Sequence, residues 1–238
     1  RDVEVLFWVG CAGSYEDRAK RVSRALVEIL TEAGISFAIL GTEETCTGDS
    51  ARRMGNEYLF QVLAQQNVET LNGYGVKRIV TNCPHCYNCI ANEYPPLGGN
   101  YEVMHATELV ARLVDEGRIR LTEPVPGTVS YHDACYLGRY NGITETPRQV
   151  ARAVPGLRIV EPPRNRERGL CCGGGGGHMW MEVPSRKRVN VIRTEELLET
   201  GASVVAAACP FCLAMVDLGR KVKEAEERLA VKDVSELV

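Results

Sequence analysis

Ten cysteines in 238 residues fall at intervals that repeat, and this repetition restricts the fold more than any other feature of the chain. In the first half Cys11, Cys46, Cys83 and Cys86 stand 35, 37 and 3 residues apart; in the second, Cys135, Cys171, Cys209 and Cys212 stand 36, 38 and 3 apart. The words around them repeat too. TCTGD (45–49) answers LCCGG (170–174), and NCPHC (82–86) answers ACPFC (208–212). Self-similarity of this kind marks a duplicated structural unit. EPVPGT (123–128), with two prolines and a glycine, reads as the linker. The expected domains are therefore a first cysteine-rich unit over 1–123 and a second over 127–238.

Each unit alternates between two hydrophobic periods. VEVLFWVGC (3–11), ISFAILG (35–41) and VKRIVTNC (76–83) read as strands, as do TVSYHDAC (128–135), LRIVEP (157–162) and SVVAAACP (203–210). Between them YEDRAKRVSRALVEILTEAG (15–34) carries Ala19, Val22, Ala25, Leu26, Ile29 and Leu30 at helical spacing, and Gly34 ends it. A second helix is expected within 51–75, and YEVMHATEL (101–109) reads as a short strand turning into a helix. In RKRVNVIRTEELLETG (186–201), Val189, Ile192, Leu197 and Leu198 are expected to form the apolar side of a helix. Continuous apolar strands separated by helices favour parallel sheets covered on both faces. The fold class is α/β: duplicated cysteine-rich units with mostly parallel sheets, related by a pseudo-two-fold axis.

In that architecture Cys11, Cys83, Cys135 and Cys209 each close a strand, at the edge where open α/β sheets collect ligands. Pro84 and Pro210 suit the first turn of a helix. Cys86 and Cys212 would then sit where free backbone N–H groups favour a thiolate. Disulfides belong mainly to small secreted chains, and this chain is long enough for a core and carries no visible secretory signal. A dithiol CxxC site would leave five other cysteines unexplained. Structural zinc and a cubane iron–sulfur cluster each take four ligands. The first half offers four, Cys11, Cys46, Cys83 and Cys86; the second offers five, Cys135, Cys171, Cys172, Cys209 and Cys212. That count points to an iron–sulfur assembly less regular than a cubane in the second half.

Composition narrows the partners. Hydrophobic residues make up 45% and charged residues 25%, as in ordinary globular proteins. A net charge of −3 without a basic tract argues against nucleic acid, and the apolar runs break before membrane-spanning length. The chain opens at Arg1 without a methionine, as a piece of a longer protein would.

Cys135, Cys171–Cys172–Gly173, Cys209 and Cys212 together resemble the cysteine-rich CCG domain. Its members include the catalytic B subunit of heterodisulfide reductase, glycolate oxidase iron–sulfur subunits and lactate-utilisation proteins. The resemblance covers nearly the whole chain, in two copies. GTEETCTGDSARRMGNEYLF, TNCPHC and CCGGGGGHMWME are more similar still to a branch of membrane-associated iron–sulfur oxidoreductases linked to acyl-CoA oxidation. Those proteins pass electrons from electron-transfer flavoprotein to menaquinone, and their cysteine-rich part follows a membrane domain and a ferredoxin-like two-cluster segment. The resemblance implies a noncubane [4Fe–4S] cluster on Cys135, Cys171, Cys172, Cys209 and Cys212; Cys171 and Cys172, with His178 at the close of the glycine run, are the expected catalytic residues. In the first half Thr47 stands where the second cysteine of CCG would be. The remaining Cys11, Cys46, Cys83 and Cys86 suit a cubane [4Fe–4S] cluster or zinc. Cys89 offers a further thiol or a small core side chain. The implied partners are electron-transfer flavoprotein or a ferredoxin-like two-cluster domain. A membrane-anchored, quinone-linked portion is expected outside this chain, which would place it in the cytoplasm at the inner face of the membrane. Thiol heterodisulfide reduction and a structural zinc scaffold remain the alternatives.

Gly173–Gly177 would let backbone N–H groups approach a cluster closely, or would act as a hinge. It is no phosphate loop, since GxxxxGK[ST] is absent. His85, His132 and His178 each lie near a candidate ligand and could donate to sulfur, move a proton or be structural; His105 reads as a local cap or core contact. Asp49 and Asp133 flank the two sites, and Met179 and Trp180 read as packing or docking residues.

Overall fold

The computed structural model describes residues 3–182 and 187–238, so Arg186, at the start of one expected helix, lies outside them. Two four-stranded sheets carry the chain. The first joins β1 (Val5–Trp8), β2 (Phe37–Ala38), β3 (Arg78–Thr81) and β4 (Glu102–His105) in the order β2-β1-β3-β4. The second joins β5 (Gly127–His132), β6 (Leu157–Ile159), β7 (Val204–Ala207) and β8 (Ala230–Asp233) in the order β6-β5-β7-β8. Every pairing is parallel. The expected duplication of α/β units is thus realised strand for strand.

The helices are α1 (Gly10–Tyr15), α2 (Asp17–Glu32), α3 (Asp49–Arg53), α4 (Glu57–Gly73), α5 (Pro84–Asn88) and α6 (Ala106–Asp115), followed by α7 (Cys135–Asn141), α8 (Thr146–Ala153), α9 (Val189–Leu198) and α10 (Pro210–Val222). Ala19, Val22, Leu26, Ile29 and Leu30 form the buried stripe of α2, as their spacing predicts. Both halves also end alike. His105 caps α6 in a box with Glu108, and Asp233 caps a short 3-10 turn in a box with Glu236. The cap expected of His105 is therefore present.

One core runs through both halves. Phe7, Leu26, Val80 and Leu109 from the first are continuous with Val129, Val150, Val205 and Val216 from the second. The other face of the first sheet packs Leu6, Trp8 and Ile79 against Phe60, Ala64, Val68 and Leu71 of α4. Each such buried apolar side chain is worth about 1.5–3 kcal/mol. The two cysteine edges are therefore held at a fixed spacing.

Four expectations change. None of the four cysteines closes its strand: β1 and β5 end three residues before Cys11 and Cys135, which lie in the first turns of α1 and α7, and β3 and β7 end two residues before Cys83 and Cys209, which stand at the N-caps of α5 and α10. The helix expected over 15–34 begins at Asp17, because Glu16 is extended and its carboxylate accepts from the Ala19 N–H. The 51–75 segment breaks at Gly55, which has φ +85°, and restarts under an Asn56 cap. Finally, α9 buries its polar side. Val189 and Ile192 are exposed and Leu198 is only half-buried, while Asn190, Arg193, Thr194 and Leu197 face inward. Close approach to α10 explains this, since a Cβ on Gly219 would stand 2.1 Å from Thr194 Oγ1. At that separation only small or hydrogen-bonded side chains fit, and Asn190 donates to the Met215 carbonyl of α10.

Candidate metal centre

The second half brings its five cysteines to one place. β5 ends at His132, and Cys135 follows as the first residue of α7. Cys209 caps α10, Pro210 opens it, and Cys212 falls in its first turn as predicted. The Cys171–Cys172 loop comes over these elements, and Cys212 donates to Cys172 across 3.4 Å. All are free thiols; Cys172, Cys209 and Cys212 are buried, while Cys135 and Cys171 are partly open. The open pair borders a cleft of about 630 Å³ lined also by Arg53, Tyr136, Arg139 and His178.

The glycine of the CCG word has a backbone reason. Gly173 has φ +82°, which costs a side-chain-bearing residue strain, and its N–H donates to Cys171 Sγ at 3.2 Å. A Cβ at Gly174 would crowd Met215 at 3.0 Å, and one at Gly177 would meet Met54 of the first half at 2.6 Å. The run is therefore packed at these points, which is not how a free hinge behaves.

These sulfurs share protons. Hydrogen bonds from Cys135 and Cys172 hold the Cys171 thiol down to about 2, against the opposing effect of burial. Burial raises Cys209, but hydrogen bonds with Cys212 and His85 bring it to about 5. Their donors Cys135, Cys172 and Cys212 are pushed up in consequence. Several sulfurs that favour charge, packed in a buried space, are what a cationic centre satisfies.

A further donor faces them. Ligand atoms of His132, Cys172 and Cys212 lie within 4.8 Å of one another. Arg193 Nε donates to His132 Nδ1 at 3.0 Å, so the proton of the neutral ring sits on Nε2. Nε2 is buried and has no partner within the protein. Burial, and then Arg193, lower this imidazole to about 3, so it stays neutral near physiological pH. An orphaned N–H beside sulfur fits the needs of an iron–sulfur centre, whose sulfurs accept hydrogen bonds.

The first half repeats the arrangement with one atom changed. Cys83 caps α5, Cys86 lies in its first turn, and Cys11 lies in that of α1. Gly48, with φ +87°, donates to Cys46 Sγ at 3.4 Å, as Gly173 does to Cys171. Where Cys172 meets Cys212, Thr47 Oγ1 meets Cys86 Sγ at 3.8 Å. A hydrogen bond from Cys11 lowers Cys46 to about 6, and Cys83 pushes Cys86 up. The pocket here is only about 20 Å³, and its lining includes His85 and Phe211. Trp8 occupies the position equivalent to His132, and its Nε1 is likewise buried without a partner. Cys89 points elsewhere: its thiol lies 3.7 Å from Glu93 and 4.0 Å from Asp49, and burial and these carboxylates push it up. That is the surrounding of a core thiol.

The other residues singled out divide. His85 is buried, with Nδ1 2.7 Å from Asp49 Oδ2. His178 is exposed on the rim of the cleft, in a 3-10 turn (His178–Trp180). Trp180 is exposed and meets Phe211 edge-on at 5.9 Å. Asp133 takes no place among the sulfurs; its carboxylate binds the fully buried Arg148 at 2.7 Å, and Arg148 also binds Glu161 at 2.7 Å. Arg148, Arg193 and Tyr136 were invisible to motif reasoning, because none is a cysteine or a residue whose type signals metal binding, and Phe211 lay inside the ACPFC word without a role. The one available signal was Arg193 in the middle of a helix, a charge at a position that periodicity leaves ambiguous.

Residues 5–91 and 129–217 each match the CCG cysteine-rich domain. Over 245 residues the chain is 49% identical to an EtfAB:quinone oxidoreductase of Syntrophomonas wolfei, an alignment covering all of this chain and 34% of that protein. It is 42% identical over 240 residues to the probable membrane-anchored ferredoxin of Chromohalobacter salexigens, covering 99% of this chain and 35% of that one. It is 34% identical over 241 residues to a polypeptide of the dihydromethanophenazine:CoB–CoM heterodisulfide reductase of Methanosarcina barkeri, covering 99% and 58%. The chain thus spans about a third of the first two relatives. Among the described residues no helix is long and apolar enough to cross a membrane.

Proposed function

Since this chain belongs to the CCG cysteine-rich domain family of iron–sulfur oxidoreductases, with two copies of the domain, we propose that it passes electrons between electron-transfer flavoprotein and a menaquinone-linked chain. The observation that carries this reading is the five-sulfur cluster beside an orphaned His132 N–H, opening on a cleft. Cys135, Cys171, Cys172, Cys209 and Cys212 would hold a noncubane [4Fe–4S] cluster, which supplies the one-electron chemistry when bound. Cys11, Cys46, Cys83 and Cys86 would hold a cubane [4Fe–4S] cluster or zinc.

The chain's own residues set the conditions. Arg193 fixes the His132 tautomer so that Nε2–H is offered to sulfur. Gly173 donates to Cys171 without a side chain in the way. Arg148 clamps Asp133 and so holds the turn between β5 and Cys135. Cys171, Cys172 and His178 are the residues closest to a reacting partner in this reading, with His178 on the cleft rim in reach of solvent protons. Partners would be electron-transfer flavoprotein or a ferredoxin-like two-cluster domain. Membrane attachment at the cytoplasmic face would be supplied by a portion outside this chain, as the greater length of the relatives suggests. The relative named EtfAB:quinone oxidoreductase supports this choice.

The cleft favours one second reading. Its volume of about 630 Å³ at Cys135 and Cys171 admits a small molecule, and one relative is part of a heterodisulfide reductase. Anaerobic protein should contain iron and sulfide in the second half and should be reduced by electron-transfer flavoprotein. Reduction of a thiol heterodisulfide at a useful rate, with no response to the flavoprotein, would reverse the order of the two readings. Stoichiometric zinc without sulfide would end both.

A further inference from the structure

The cleft at Cys135 and Cys171 carries one sign of charge. Arg53, Arg139, Lys187 and Arg188 line it, and among the described residues no carboxylate does. This is a local excess of cations in a chain whose net charge is −3. Two of the four are paired already: Arg53 binds Asp49 at 3.1 Å, and Lys187 binds Glu195. Arg139 donates to backbone, reaching the carbonyls of Glu167 at 3.3 Å and Gly169 at 2.7 Å. Arg188, the residue that precedes α9, has no carboxylate partner among the described residues. A cleft with unneutralised charge of one sign concentrates and steers partners of the other sign. The pocket of the first half has no such field, since Asp49 lines it and no arginine or lysine does.

The rim of the cleft is aromatic, and its rings are held in place. Tyr140 is 66% exposed and Trp180 61%. Tyr140 stacks on Tyr136 at 4.8 Å, and Trp180 meets Phe211 edge-on at 5.9 Å. Met54 of the first half and Met181 of the second are exposed too. Both press on Gly177, which precedes the turn of Trp180: a Cβ there would stand 2.6 Å from Met54 and 3.3 Å from Met181. The rim is thus continuous across the two halves. Rings left in water forgo the stabilisation that burial gives them. Tyr, Trp, Met and Arg together are the composition of protein–protein interface centres. Rings already immobilised lose little further freedom when a partner covers them. A small molecule inside the cleft would leave this rim uncovered.

We propose that this face is the docking surface for an acidic electron-carrying protein, whose carboxylates meet Arg139 and Arg188 while its centre covers Tyr140 and Trp180. The partly open Cys135 and Cys171 line the same cleft, so a docked partner lies against whatever centre those cysteines hold. The inference rests on the reading that this protein exchanges electrons with a protein partner.

The test is reduction of the anaerobic protein by reduced electron-transfer flavoprotein, which gives up one electron per event to the centre. It is followed by stopped flow over a range of flavoprotein and salt concentrations, with iron and sulfide measured per chain. The wild-type second-order rate constant should fall at least about tenfold from low to high salt. R188E should lower it about fivefold or more at low salt and flatten the salt dependence, while R188K should stay within about twofold of wild type. W180A should raise the half-saturating flavoprotein concentration about fivefold or more. R158E makes the same change of net charge at the far end of the second sheet from the cysteines, where Arg158 lies opposite Thr128 of β5, and should stay within about twofold. A wild-type rate that is flat or rises with salt overturns the inference without any variant. So does an R188E protein that keeps the wild-type rate and instead turns over an anionic thiol heterodisulfide less well, which would give the cleft to a small substrate. Wild-type protein with full iron and sulfide that the flavoprotein does not reduce would overturn the inference together with the reading beneath it.

Discussion

The two halves share strand order, helix starts and capping boxes, yet differ at five positions around their sulfurs. Thr47 stands opposite Cys172, Asp49 opposite Gly174, His85 opposite Phe211, Cys89 opposite Met215, and Trp8 opposite His132. Backbone geometry is kept through these changes: Gly48 and Gly173 both have positive φ and both donate to the sulfur of the cysteine two residues before. The space beside the sulfurs differs, a pocket of about 20 Å³ against a cleft of about 630 Å³, although Cys11 of the first half is itself exposed. A duplicated framework therefore fixes where sulfur sits, and a handful of side chains decides how many sulfurs there are and what can reach them.

The comparison breaks most readily at the ligands. Cys212→Ala should remove the iron and sulfide of the second half and lower electron transfer by more than about 100-fold, the scale of a lost essential group. Cys83→Ala should leave the second centre assembled while destabilising the fold or slowing transfer. If transfer survives the first substitution and vanishes with the second in folded protein, the roles of the halves are the reverse of those proposed.

Next in size is the buried ion network beside the second site. Arg148→Met would leave Asp133, only 2% exposed, without its cation. The expected loss is about 3–5 kcal/mol, read as a lowered midpoint in chemical unfolding. A loss under about 1 kcal/mol would mean that water, not Arg148, satisfies the carboxylate.

The capping boxes give opposite pH slopes. Burial pushes Asp233 up to about 7, so its contribution is complete below its unfolded value near 4 and is lost as pH rises through 7. Burial pulls His105 down to about 4, so its contribution is complete above about 6.5 and is lost as pH falls toward 4. D233N should recover about 1–3 kcal/mol at pH 8 relative to pH 5. H105N should flatten the loss on the acid side, since Asn still caps. Unfolding at pH 5, 6.5 and 8 separates the two; slopes of the same sign would refute the assignment.

The smallest expected energetic effect carries the sharpest structural reading. Thr47→Cys places a sulfur where Thr47 Oγ1 already lies 3.8 Å from Cys86 Sγ. Stability should change by less than about 1 kcal/mol, while the absorption and EPR spectrum of the first centre moves toward that of the second. An unchanged spectrum would show that more than one atom separates the two sites.

Much of this was legible in the chain. Cysteine spacing marked the thiols that the fold gathers in each half, the prolines after Cys83 and Cys209 marked the helix starts, and the apolar stripe of α2 followed its period. Other features resisted for physical reasons. Val189 and Ile192 have the right spacing to be buried, but α9 lies so near α10 at Gly219 that its polar, hydrogen-bonding side turns inward. Cys89 shares the helical face of Cys86 in an ideal α-helix, but the turn Cys89–Glu93 is π-helical and carries the thiol toward carboxylates.

By itself the sequence determined the number and order of the thiols, the repeat and its parallel α/β frame, because those follow from spacing and periodicity within short stretches. Only the tertiary structure decided which half serves which site. His85 and Phe211 are more than a hundred residues apart, and no local pattern encodes their meeting. It follows from a core shared by both halves, whose packing sets the CxxC loops face to face.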